Sequence, residues 1–324
     1  THVHLIPVFD HRSIDETRLN EAQYNWGYDP LNFNVPEGSY SSDPYDGARR
    51  ISEFKQMVKT FHDNGIRVIL DVVYNHTGQS EESIFNQLVP GYYYRQNAEG
   101  GFSDASACGN ETASDRAMFR KYMVESMRYW VDEYHMDGFR VDLMGIHDIE
   151  TMNAVAADLH SIDPTIFIYG EGWKAGDSPL DEKQLAVKAN TPQLQGIAAF
   201  SDDVRDAIKG HVFTHDATGF ISGNETLKES LKFGIVAATQ HPQVDYGDIN
   251  YSEAAWAPQP DQCMTYMSCH DNHTRWDPLT LSRPAATEAE KIQMHKLAGT
   301  IVLTSQGVSF LHAGVDFLRT KDGV

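Results

Sequence analysis

The stretch Gly138-Phe139-Arg140-Val141-Asp142 is the segment of the sequence that says most about the fold. A strand alternates its side chains between two faces, so Arg140 and Asp142 share one face while Phe139 and Val141 share the other. In a parallel strand whose outer face packs on helices, a charged pair has to point into the mouth of a barrel. The segment therefore predicts a barrel strand with polar chemistry at its carboxyl end.

Other short β-branched runs alternate with segments of helical period, which favours an α/β fold with parallel strands. The predicted strands are His2–Phe9, Ile66–Tyr74, Gly138–Leu143, Thr165–Gly170, Gly196–Phe200, Met264–Cys269 and Val308–His312. This is one strand short of an eight-stranded barrel. We therefore predict an incomplete (β/α)8 TIM barrel, in which the second to eighth strands are present and the first strand and last helix are missing.

Two apolar stripes at helical spacing predict helices, one stopping at Gly65 and one with Ser114 as its N-cap. Their members are Ile51, Phe54, Met57, Val58 and Phe61, and Phe119, Tyr122, Met123, Met127, Trp130, Val131 and Tyr134. We interpret both stripes as core. Residues 1–324 are expected to form one catalytic barrel domain, truncated at both ends, with long loops at about 75–112, 174–195 and 210–260.

Composition excludes several classes of partner. The formal net charge of −20 repels polyanions, so we expect no nucleic acid partner. No apolar run approaches the roughly 18 residues that span a bilayer, and we expect no membrane insertion. The three cysteines, Cys108, Cys263 and Cys269, make no disulfide framework, which leaves the redox compartment open.

Acidic residues end several of the predicted strands. Arg140 beside Asp142 would hold that carboxylate ionised, as a nucleophile requires. Glu171 ends an apolar strand next to Trp173, and desolvation by that ring would raise the pKa of the acid, as a general acid needs. Asp271 ends a later strand. Carboxylates that gather at one rim of a barrel can flank a glycosidic bond, as a double displacement requires.

A family resemblance accompanies these strand ends. The endings DVVYNH (71–76), GFRVD (138–142), GE (170–171) and HD (270–271) resemble, in order and spacing, the four signature regions of the α-amylase superfamily of glycoside hydrolases. The stretch YNWGYDP (24–30) resembles the motif that marks type I pullulanases and related debranching enzymes. The similarity covers nearly the whole chain.

The resemblance implies that Asp142 is the nucleophile, Glu171 the general acid/base and Asp271 the stabiliser of the transition state. The substrate-binding and supporting positions that it implies are Tyr28 as an aromatic platform, His76 and His270 as hydrogen-bonding groups, Arg140 as the residue that orients Asp142, Trp173 on the leaving-group side, and Asp71, Asn75 and Asn272 alongside them.

The implied reaction is hydrolysis, with retention, of α-1,6 branch linkages in pullulan, glycogen or starch-derived dextrins. It requires no cofactor. A calcium ion occurs near the position of Asn75 in many amylase relatives, and we leave Ca2+ unassigned here. The resemblance also favours an extracytoplasmic or cell-surface location.

Three alternatives are weighed against this interpretation. A metal hydrolase is suggested by His2-Val3-His4, but these histidines fall at the amino end of their strand, where barrel ligands do not belong. A non-catalytic glucan-binding barrel fits poorly with three retained carboxylates. An α-1,4-acting hydrolase or a branching or other transglycosylating enzyme of the same superfamily stays open, because it would use the same three acids.

Overall fold

The computed structural model describes residues 1–274 and 276–322. They fall into two compact units, one ending at Ile197 and the other beginning at Ala198.

The first unit alternates strands and helices. Its elements are β1 (His2–Leu5), β2 (Phe9–His11), β3 (Pro30–Pro36), α1 (Gly47–Asp63), β4 (Arg67–Val72), α2 (Ile84–Leu88), α3 (Ala117–Tyr134), β5 (Gly138–Val141), α4 (Ile149–Ile162) and β6 (Phe167–Gly170). Four of the strands pair in parallel in the order β1, β4, β5, β6, while β2 and β3 form a separate antiparallel pair.

The parallel register places polar residues in one row across three strands. Asp71 of β4 pairs with Arg140 of β5, and Arg140 in turn pairs with Tyr169 of β6. Since residues two apart on a strand share a face, Asp142 follows Arg140 on the same side. The polar row therefore leads directly to the carboxyl ends of the strands.

The second unit continues the alternation. Its elements are β7 (Ile197–Phe200, counted here because three of its four residues belong to this unit), α5 (Asp202–Lys209), α6 (Lys228–Ile235), β8 (Cys263–Thr265), α7 (Trp276–Ser282), α8 (Glu288–Thr304) and β9 (Val308–Ser309). Strands β7, β8 and β9 pair in parallel in that order. The core of this unit gathers apolar residues of α5, α6 and α8, including Val204, Leu231 and Val302.

The predicted fold class is confirmed: parallel strands alternate with helices as in an incomplete (β/α)8 barrel. The strands are shorter than predicted. For example, β8 ends at Thr265, whereas the prediction extended it to Cys269. Among the described residues, no helix is both long enough and apolar enough to cross a bilayer.

Both predicted helices are present, but one predicted cap is wrong. Helix α1 ends before Gly65, which has the positive φ of +69° that favours glycine. Helix α3 begins after Arg116 without a side-chain cap. The hydroxyl of Ser114 instead donates to Asp148 Oδ2 at 2.7 Å and accepts from the backbone N–H of Asp148 at 3.0 Å. Ser114 therefore ties α3 to the start of α4.

The features that were not predicted include a strand pair and a helix. Strands β2 and β3 lie in the segment around the YNWGYDP motif, and their pairing shifts register twice, which disguises any alternation. The predicted loop 210–260 contains α6, whose Leu231 and Phe233 are buried. Helix α6 has only 8 residues, too few for a convincing helical period in sequence.

Candidate active site

Arg140 is the hub of the polar cluster in the first unit. Its Nη1 lies 2.7 Å from Asp142 Oδ1 and 3.0 Å from Asp71 Oδ1, and its Nη2 lies 2.7 Å from Glu171 Oε1. The side chain is only 1% exposed. One fixed guanidinium therefore contacts both acids that the sequence singled out on β5 and β6, as its planar fork of donors allows.

Asp142 follows β5 directly and is held from two sides. Besides the Arg140 contact, Asn75 Nδ2 donates to Asp142 Oδ2 at 2.8 Å and to the Asp142 carbonyl at 2.9 Å. Burial raises the pKa of Asp142, while the positive charge of Arg140 and the hydrogen bond from Asn75 act in the opposite direction. The predicted pairing of Arg140 with Asp142 is thus present, within an environment that also penalises the charge.

Glu171 follows β6, and both of its carboxylate oxygens are engaged. Its Oε1 takes the Arg140 contact, and its Oε2 accepts from the backbone N–H of Leu143 at 2.9 Å. Leu143, the residue after Asp142, has a φ of +40°, which is unusual for a branched side chain. A strained residue next to Asp142 thereby supplies the donor that fixes Glu171.

Tyr28 and His76 cover this cluster from neighbouring segments. The hydroxyl of Tyr28 donates to Asp71 Oδ2 at 2.7 Å, and its ring lies 5.7 Å from the Arg140 guanidinium carbon. His76 Nδ1 lies 2.6 Å from Asn75 Oδ1, and its Nε2 lies 2.8 Å from the Tyr28 carbonyl. Burial lowers the pKa of His76, with Asp142 opposing the shift.

Exposure separates the predicted site residues into two groups. Asp71 and Asn75 are fully buried and Arg140 nearly so, whereas Tyr28 and Trp173 are partly exposed. The buried residues contact Asp142 directly, as Asn75 and Arg140 do, or through Arg140, as Asp71 does.

The second unit carries the other predicted acid. Asp271 and Asn272 are exposed on the segment after β8, and His270 is buried, with its Nε2 3.6 Å from Asp271 Oδ1. Lys321 donates from its ammonium group to the carbonyls of His270 and Asn272, the two neighbours of Asp271. The role of Asp271 remains a prediction.

Two residues of these clusters were missed as site residues by sequence reasoning. His4, considered only as a metal ligand, lies 3.2 Å through Nε2 from Asp71 Oδ2. Lys321 lies about fifty positions beyond the residues it contacts. A register argument from β1 to β4 could have flagged His4; nothing in the local sequence signals Lys321.

Among the described residues, the group of carboxylates close enough to share a metal ion is Asp10, Glu16 and Glu37, of which Glu16 already pairs with Arg50 at 2.8 Å. Asn75, the position near which calcium was considered, has its side-chain amide engaged by Asp142 and His76. Ca2+ therefore stays unassigned.

Comparison with known proteins first identifies a class. Residues 1–96 match the family described as the α-amylase catalytic domain. Together with the parallel strands and their terminal carboxylates, this match makes the chain similar to the catalytic barrel of the α-amylases.

The particular relatives are pullulanases. The chain is 42% identical to the pullulanase of Bacillus subtilis (strain 168) over 324 residues. The match covers 100% of this chain and 44% of that protein. It is 34% identical to the chloroplastic pullulanase 1 of Arabidopsis thaliana, with 99% of this chain and 41% of that protein covered. The crystal structure of Paenibacillus barengoltzii pullulanase with maltohexaose and α-cyclodextrin superposes with a TM-score of 0.94 at 49% identity, covering 100% of this chain and 49% of that one.

The predicted resemblance to type I pullulanases within the α-amylase superfamily is thus confirmed. The chain spans less than half the length of these relatives.

Proposed function

We propose that this chain carries the catalytic site of a retaining glycoside hydrolase that cleaves α-1,6 branch linkages in pullulan, glycogen or starch-derived dextrins. The observation that carries the proposal is the Arg140 guanidinium, which contacts Asp142 and Glu171 at 2.7 Å each. Similarity to pullulanases along the whole chain supports the choice of reaction and linkage. The Paenibacillus relative was crystallised with maltohexaose and α-cyclodextrin, which fits a glucan substrate.

In the first step, an Asp142 oxygen attacks the anomeric carbon while Glu171 gives its proton to the departing glycosidic oxygen, and a covalent glycosyl ester forms on Asp142. In the second step, Glu171 takes a proton from water, whose oxygen attacks the same carbon and releases Asp142. Two inversions leave the α configuration. Asp271 is proposed to stabilise the positive charge that develops on the sugar in both steps.

The free site sets one condition on this mechanism. Glu171 must hold a proton to act as the acid, yet in the free site its two oxygens face donors, the Arg140 guanidinium and the Leu143 N–H. We therefore infer that entry of the sugar loosens the contact between Arg140 and Glu171. Arg140 keeps Asp71 and Asp142 as partners when that contact lengthens.

Product analysis on pullulan tests the proposal. The 324-residue chain should release maltotriose, because hydrolysis at every α-1,6 bond divides pullulan into that unit. An α-1,4-acting hydrolase would leave products that retain the α-1,6 bond. A branching enzyme would transfer segments without a matching rise in reducing ends. A protein that binds pullulan on a gel but releases no sugar would contradict the proposal and favour a glucan-binding barrel.

A further inference from the structure

His4 lies next to the acid cluster, where its side chain contacts Asp71 of β4 and Tyr169 of β6. It is the third residue of β1, and its side chain is 11% exposed. Its Nε2 lies 3.2 Å from Asp71 Oδ2, and its Nδ1 lies 3.1 Å from the hydroxyl of Tyr169. The two ring nitrogens thus contact β4 and β6, the strands on either side of β5, which carries Arg140.

The partners of His4 define its tautomer. The Asp71 carboxylate can only accept, and it already accepts from Tyr28 and Arg140, so the hydrogen between His4 and Asp71 belongs to His4 Nε2. In the neutral ring, Nδ1 then presents a lone pair that accepts from the Tyr169 hydroxyl. Both contacts are satisfied together only in this state among the neutral forms of the ring.

The acceptor atom in this arrangement is Asp71 Oδ2, which lies within hydrogen-bonding distance of Tyr28, His4 and Arg140. Tyr28 lies at 2.7 Å, His4 at 3.2 Å and Arg140 Nη1 at 3.2 Å from this oxygen. Asp71 is fully buried, so no bulk water replaces a donor that is removed. Because Arg140 contacts this carboxylate, the orientation of the Asp71 side chain determines the position of the Arg140 guanidinium. Arg140 in turn contacts Asp142 and Glu171.

We propose that His4 is a positioning residue of the site: by donating from Nε2 it fixes Asp71 and thereby the guanidinium that holds Asp142 and Glu171. The proposal rests on the function proposed above. It also gives the His2-Val3-His4 motif a role other than metal binding. His2 is exposed, and the metal-ligand group found among the described residues contains neither histidine.

Three variants of the 324-residue chain test the proposal with pullulan as substrate. His4→Leu removes both hydrogen-bonding atoms, His4→Gln keeps an N–H that can reach Asp71, and His2→Leu is the control on the same strand. We expect His4→Leu to lower kcat at least about tenfold with KM within about twofold, and His4→Gln and His2→Leu to stay within about threefold of the parent.

The pH profile separates positioning from loss of folded protein. In His4→Leu, the acid limb of kcat/KM should move to higher pH, because a loosened Arg140 stabilises the Asp142 anion less. A variant that is merely less folded would lose activity without moving that limb. The proposal is overturned if folded His4→Leu keeps the parental kcat and acid limb, or if His4→Gln is as impaired as His4→Leu.

A second measurement does not depend on activity. Nitrogen-15 NMR of the histidine rings, with the His4 signals identified by their loss in His4→Gln, should show hydrogen on Nε2 of His4. The opposite tautomer would overturn the arrangement even in an active protein. A chain inactive on pullulan that shows the expected tautomer would refute the proposed function while supporting the placement of His4.

Discussion

The guanidinium of Arg140 lies between two carboxylates that must behave differently during a double displacement. Strand parity predicted the pairing of Arg140 with Asp142, because Arg140 lies on β5 and Asp142, two residues further, directly follows the strand. The contact of Arg140 with Glu171 was not predicted, since it joins neighbouring strands and depends on their register. The sequence argument for Glu171 relied on Trp173 instead. Residue types at strand ends can thus be predicted from sequence, whereas contacts between strands need the structure.

Replacing Arg140 by lysine should break some of the contacts that Arg140 makes with the surrounding carboxylates. A lysine has a single ammonium group and cannot serve Asp71, Asp142 and Glu171 in the same planar arrangement. We expect Arg140→Lys to lower kcat on pullulan about 100-fold. We also expect the free energy of unfolding to fall by about 3 kcal/mol, because buried acids lose their partner. Arg128→Lys, at a half-exposed pair with Asp158, is the control. If Arg140→Lys kept activity within about threefold of the parent, the three contacts of Arg140 would not be what organises the site.

His147 should make the fold sensitive to acid. It is fully buried, and neither ring nitrogen has a hydrogen-bond partner among the described residues. Burial lowers its pKa from 6.5 to about 3, with the charge of Arg95 adding to the effect. Below pH 6.5 the unfolded chain therefore binds a proton that the folded chain does not, and His147 destabilises the fold as pH falls from 6.5 toward 3.

Urea unfolding at pH 7 and pH 5 measures this effect. The contribution of His147 is about 1 kcal/mol per pH unit within that window. The loss of stability between the two pH values should therefore be smaller in His147→Leu than in the parent. His135→Asn, at an exposed position with a left-handed backbone, should keep the parental loss. Equal losses in His147→Leu and the parent would contradict the argument.

At the scale of elements, the long segment at 75–112 is held by a buried ion pair. Arg95 Nη1 lies 3.4 Å from Glu111 Oε1 and donates to the Ile146 carbonyl at 2.7 Å. Glu111 also accepts from the Ala105 N–H at 2.8 Å and from the Ser178 hydroxyl at 2.7 Å. These contacts tie two predicted loops together close to the strand ends. The loops were predictable from composition, but their internal order was not, because it rests on pairs far apart in sequence.

Glu111→Gln should loosen this arrangement, because a buried Arg95 loses part of its compensating charge. We expect the free energy of unfolding to fall by about 3 kcal/mol. Limited proteolysis should cut the 75–112 segment faster. Glu99→Gln, at an exposed position of the same segment, should behave like the parent in both assays. Unchanged unfolding and proteolysis of Glu111→Gln would show that the pair does not order the segment.

At the scale of the whole molecule, the alternation of strands and helices was predictable because buried parallel strands read as apolar runs. Sequence did not predict the strand pair β2 and β3, helix α6 or the hydrogen bonds of Ser114 with Asp148. Each depends on tertiary contacts that outweigh the local sequence pattern. The chain also carries its proposed acids in both units: Asp142 and Glu171 in the first, Asp271 in the second.

The most direct test of the proposed chemistry is to trap the covalent intermediate. α-Maltotriosyl fluoride needs no acid to release its leaving group, so Glu171→Gln should still be glycosylated by it. The variant lacks the base for the second step, so the ester should accumulate. Digestion and mass spectrometry should then find one maltotriosyl group on the peptide that contains Asp142, and none in the double variant Asp142→Asn, Glu171→Gln. A sugar attached elsewhere, or fluoride release at the parental rate without any adduct, would contradict the assignment of Asp142 as nucleophile and Glu171 as acid/base.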